Sequence, residues 1–120
     1  MARTVLAIVD DMFFASKIRA TAEALDVAIS FPRTREMLFQ KAREVVPDLI
    51  LIDLHHQRFD PIGAAAELKA DPELKQIPLL GFFSHVQTDL QRNAVAAGVD
   101  QVIPRSVFSR DLAMILGGKR

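Results

Sequence analysis

The chain has 120 residues, half of them hydrophobic, with 15 basic and 15 acidic side chains and no cysteine. Such a composition is that of a folded chain of about one domain, taken here as 1–120, and lies outside the range of disordered segments. A formal charge of zero argues against direct nucleic-acid binding, the missing cysteines exclude disulfides and thiolate metal sites, and no apolar run approaches the roughly 20 residues of a membrane span. Residues 1–4 run into an apolar stretch without the length or cleavage pattern of a signal peptide, so a soluble, cytoplasmic protein is expected.

In chain order, residues 4–9 (TVLAIV) form an almost unbroken apolar run, the pattern of a strand covered on both faces. Ala15, Ile18, Ala22 and Leu25 then recur at helical spacing between polar Lys17, Arg19 and Glu23. Residues 27–31 read as a short strand, and Met37, Leu38, Lys41, Ala42 and Val45 as a helix ended by Pro47. A second apolar run, residues 49–52 (LILI), precedes a helix over 62–70, and Pro78 opens a strand over 79–83. A helix over 88–97 stops at Gly98, a brief strand spans 101–103, and a last helix covers 106–116 before Gly117 and Gly118. Strict alternation with short loops implies an open parallel α/β sheet covered by helices on both faces. In such folds ligands sit outside the carboxyl ends of the strands, where the strand order reverses.

Both long apolar runs end in aspartate, which brings Asp10, Asp11 and Asp53 to that edge. Three neighbouring carboxylates repel one another, and a hard cation such as Mg²⁺ relieves the repulsion. A cation there would also screen an incoming phosphoryl group, making Asp53 a plausible nucleophile. A blander role is open to each one singly, since Asp11 can cap the first helix. No lysine or arginine lies near the trio in sequence.

VDD at 9–11, PDLILIDL at 47–54, IP at 77–78, AG at 97–98 and the order of elements make the chain resemble the receiver domains of two-component response regulators over nearly its whole length. The resemblance implies a (βα)5 doubly wound, flavodoxin-like sheet of order 2-1-3-4-5. It implies Asp53 as phosphoacceptor, Mg²⁺ held by Asp10, Asp11, Asp53 and the backbone carbonyl of His55, and a histidine kinase or phosphotransfer protein as donor. A downstream protein partner is implied too, and a homodimer through the face of the fourth helix, fifth strand and last helix, where Val95, Val99, Val107 and Phe108 are the apolar candidates.

Several family positions differ. Phe83 stands where a threonine or serine is usual, with Ser84 one residue later as a substitute for bonding the phosphoryl oxygen. Arg105 replaces the family's lysine, keeping the charge on a bulkier and flatter group. Pro104 precedes that cation instead of following it, and Val102 replaces the switch aromatic. Residues 55–59 (HHQRF) replace the usual Met-Pro loop, and Pro61 stands where glycine is common.

His55 and His56 are read as exposed loop residues in preference to metal ligands, and His85 as a loop residue near the edge. Phe13, Phe14, Phe82 and Phe83 are assigned to the core by type, with Phe83 a candidate cover for Asp53. Arg33, Arg35, Lys41 and Arg43 make a basic face expected to be solvated. No glycine-rich nucleotide motif or aspartyl-phosphatase motif is present, so an enzyme is not expected. The reading is a receiver that signals through protein contacts, with a phosphorylation-independent pseudo-receiver binding module as the alternative. With no output domain in these 120 residues, it is expected to act through another protein, either as a stand-alone regulator or as a fragment of something longer.

Overall fold

The computed structural model describes residues 3–56, 58–84 and 88–119. Its elements are β1 (Thr4–Ile8), α1 (Met12–Ala24), β2 (Ala28–Ser30), α2 (Arg35–Val45), β3 (Leu49–Asp53), α3 (Pro61–Ala70), β4 (Leu79–Phe83), α4 (Thr88–Ala96), β5 (Gln101–Pro104), α5 (Arg105–Arg110) and α6 (Leu112–Leu116). All strands pair in parallel, in the order β2-β1-β3-β4-β5 that the resemblance implied. No helix among the described residues is long and apolar enough to cross a membrane.

The unbroken apolar runs have a direct cause, because both faces of the sheet are covered and four of the five side chains in each of β1 and β3 are buried. Along β1, Val5 and Ala7 face one core while Leu6 and Ile8 face the other, all four fully buried. The first core is completed by Phe14, Ile18 and Ala22 of α1, Phe108 of α5, and Leu112, Ile115 and Leu116 of α6. The second is completed by Leu38 and Ala42 of α2, Ala64, Ala65 and Leu68 of α3, and Ala94 of α4. Burying an aliphatic side chain of this size contributes roughly 1.5–3 kcal/mol, so the two cores fix which helix covers which face.

Three local readings change. The basic face of α2 is partly tied down: Arg35 pairs with Asp60 and Glu67, and Arg43 with Asp71, clasping α2 to α3. The last helix is irregular at Asp111 (φ −101°, ψ 14°), although the Asp111-to-Val107 and Ile115-to-Asp111 backbone bonds run through it. Val99 and Phe108, expected on a contact face, are 5% and 0% exposed, because each packs inward against one of the two cores. Val95 remains exposed.

The Ala97-Gly98 pair has a steric basis. Gly98 has φ +100°, and a Cβ there would sit 2.7 Å from Lys69 Cγ. Lys69 cannot give way freely, since its ammonium bonds the Lys75 and Ile77 carbonyls and Asp100.

Val46 closes α2 in the left-handed region (φ 43°, ψ 74°), a conformation costly for a β-branched residue. Val46 is 62% exposed, so little packing is lost on its removal. Val46→Gly should therefore raise stability by about 1 kcal/mol, read as a higher midpoint in urea unfolding with unchanged slope.

Candidate functional site

β1 and β3 are neighbours with Ile8 opposite Ile52, so the residues following both strands emerge at one edge of the sheet. With β2 on one side of β1 and β3 to β5 on the other, this is where the strand order reverses.

Asp11 is the N-cap of α1. Its Oδ1 accepts the amides of Phe13 at 2.9 Å and Phe14 at 3.2 Å, satisfying N–H groups that a helix start leaves without partners. The cap sets the phase of α1: Phe14, Ile18 and Ala22 face the sheet. Phe13 and Met12 consequently point outward, 91% and 82% exposed, which corrects the assignment of Phe13 to the core.

The neutralising cation missing from the local sequence arrives from the far end of the chain. Arg105, the first residue of α5, donates from Nη2 to Asp11 Oδ2 at 2.9 Å across 94 positions. Its guanidinium carbon lies 4.1 Å from the centroid of the Phe14 ring. Phe14 in turn meets Phe82 and Phe108, each with ring centroids 5.5 Å away, and those two rings stack at 4.4 Å. The hydrogen bond from Arg105, then the amide of Phe14, hold the Asp11 carboxyl below the ordinary carboxylate range.

Asp53 closes β3 and is half-buried. Its Oδ1 accepts the His55 amide at 2.9 Å and its carbonyl accepts the His56 amide at 3.1 Å, a turn that fixes the carboxylate. Asp53 lies opposite Phe82 in the ladder. Alternation along β4 then turns Phe82 to the α1/α5 face and Phe83 to the other. Phe83 is 6% exposed, whereas Ser84, just past the strand, is exposed. Asp10 is exposed and forms no hydrogen bond or ion pair among the described residues.

His56 corrects the exposed-loop reading. Its ring is buried, edge-on to Phe59 at 5.2 Å between centroids, because Phe59 itself is drawn into the core beneath α3. His55 is half-buried. His85 lies outside the described residues.

The donors suit a hard divalent cation in kind: Asp10 and Asp53 offer carboxylate oxygens. Asp11 does not, since its oxygens are taken by α1 and Arg105. Among the described residues no three histidine, aspartate or glutamate side chains come together as a metal-holding group. The pairing of Asp11 with Arg105 was not legible from sequence spacing; only the placement of α1 and α5 on the same face of the sheet brings the two together.

No protein-family model matches the chain. It is 37% identical over 73 residues to the response regulator protein VraR of Staphylococcus aureus, a match covering 61% of this chain and 34% of that protein. The chain thus spans about a third of the length of the curated relatives it matches. Among solved structures it resembles the chemotaxis response regulator CheY4 of Vibrio cholerae, with a TM-score of 0.83, 14% identity and 100% of each chain covered. It also resembles the receiver domain of the sensor histidine kinase PA1611 of Pseudomonas aeruginosa, with a TM-score of 0.77, 18% identity, and 98% of this chain and 99% of that one covered. These findings support a response-regulator receiver domain.

Because the Asp11 pKa is lowered on folding, the stability it contributes is present above the unfolded value and is lost as pH falls through the folded one. Asp11→Asn keeps a competent cap and removes the ion pair. The variant should be less stable than the parent near pH 7, and the gap should shrink below about pH 4, measured by urea unfolding across a pH series.

Proposed function

We propose that the chain is the receiver of a two-component phosphorelay, accepting a phosphoryl group on Asp53 and signalling through protein contacts in the cytoplasm. The observation that carries this is the half-buried carboxylate at the end of β3, held by the His55 amide at the edge where the strand order reverses. A fixed carboxylate at such an edge is a competent nucleophile towards an activated phosphate. Its oxygen attacks phosphorus, the bond to the donor's leaving group breaks, and an acyl phosphate remains on Asp53. The donor would be a histidine kinase or phosphotransfer protein.

Asp10, Asp53 and the His55 carbonyl would hold Mg²⁺, with Asp11 joining once Arg105 leaves it. When bound, that cation offsets the charge gathering on the transferred group. The receiver of PA1611 carries a magnesium ion in its active-site cleft, which supports the assignment. Ser84 and Arg105 are the proposed contacts to the phosphoryl oxygens. The downstream partner would dock on the α4, β5 and α5 face, and a second copy of the chain could use the same surface.

A second reading is a binding module that needs no phosphorylation. The engagement of Arg105 with Asp11 and Phe14 and the burial of Phe83 favour it. One experiment separates the two. With Mg²⁺ and a small acyl-phosphate donor, intact-mass spectrometry should show one added phosphoryl group that is absent in Asp53→Asn. A folded parent that gains no mass under these conditions contradicts phosphorelay function and leaves the binding module.

A further inference from the structure

We propose that the open edge of β2, together with the groove between it and the outer side of α2, docks a second copy of this chain across a two-fold axis. β2 and β5 are the opposite ends of the sheet, so this surface is separate from the α4, β5 and α5 face and stays accessible while that face holds a partner.

Among the described residues β2 pairs only with β1. Ala28 donates its amide to the Arg3 carbonyl at 2.8 Å, so by alternation the amide and carbonyl of Ile29 point to the open side. Exposed edges are usually blunted by charge or proline, and Ala28, Ile29 and Ser30 carry neither. Beside the edge lies a groove of about 330 Å³; Ser30, Phe31 and Met37 line it, and Lys41 and Glu44 stand on its α2 wall. Ile29 packs towards the core under α1, which leaves only the small side chains of Ala28 and Ser30 on the α2 side of the strand. Met37, at 49% exposure, has no side chain of β2 large enough to cover it.

Two observations favour a second copy over a foreign peptide. An added peptide strand draws its affinity from a run of main-chain bonds, whereas three-residue β2 offers one outward residue. A two-fold axis beside Ile29 uses that residue fully, because opposed residues of an antiparallel ladder can exchange both bonds. The second observation is charge. Lys41 and Glu44 lie one turn apart on α2, and among the described residues neither side chain has a hydrogen bond or ion pair. The axis that sets β2 against β2 also sets α2 antiparallel to α2, so Lys41 of each copy can meet Glu44 of the other. One patch thus carries both halves of its own complement. A single main-chain exchange covers far less area than a stable interface needs, so the α2 contacts must supply most of it.

Sedimentation velocity of the whole chain should show a monomer–dimer equilibrium. Lys41→Glu and Glu44→Lys each place like charges opposite one another and should weaken the dimer about 10-fold or more, while the double swap should restore it. Each variant is checked for native circular dichroism. A readout needing no substitution is hydrogen exchange at the Ile29 amide, which should slow as protein concentration carries the chain from monomer to dimer. A parent that stays monomeric up to about 1 mM overturns the proposal. So does a dimer that both charge reversals leave unchanged, a double swap that restores nothing, or an Ile29 amide that exchanges equally fast in monomer and dimer. A dimer that responds to Val95→Asp and not to the reversals belongs to the α4 face and overturns it too.

Discussion

The Phe14 ring is where the sheet, α1 and α5 are joined, and the geometry of the acidic edge depends on it. Below it lies Phe82 of β4, beside it Phe108 of α5, and above it the guanidinium of Arg105. Each such aromatic pair contributes about 0.5–1.5 kcal/mol beyond the area it buries. Together the contacts fix the position of α1 against the sheet, and the Asp11 cap fixes where that helix starts. Asp11 faces Arg105 because Phe14 holds both helices in register.

This constraint gives the edge two unlike carboxylates. Asp53 sits at the end of a central strand, its orientation set by the turn through His55 and His56. Asp11 belongs to a helix terminus and is already neutralised. A group that must react is better placed on the first kind of support, where a strand buried on both faces leaves little freedom. A group that must exchange partners is better placed on the second, where one ion pair can be traded for another. Asp10, exposed and without a protein partner among the described residues, fits neither description.

The sheet was legible in the sequence because its central strands are covered on both faces, and only near-continuous apolar runs such as 49–52 satisfy that requirement. Asp10 and Asp53 followed, since they end such runs. What could not be read were effects of helix phase and of distant partners. Phe13 and Phe14 are identical in type, and only the Asp11 cap decides that one is exposed and the other buried. His56 looked like loop surface because nothing in its sequence neighbours shows that Phe59 turns inward. Arg105 looked like a phosphate contact from its position in the family pattern, and its bond to Asp11 spans 94 positions, beyond any local rule. The clasp of Arg35 and Arg43 onto α3 was hidden for the same reason.

The central claim is that Arg105 and Asp11 are energetically coupled across the contact of α1 with α5. A double-mutant cycle on Arg105→Ala and Asp11→Asn, measured by urea unfolding near pH 7 and again below about pH 4, tests this directly. The account predicts a favourable coupling near pH 7 that fades as Asp11 is protonated. Additive effects near pH 7, or a coupling that acid leaves unchanged, would contradict it.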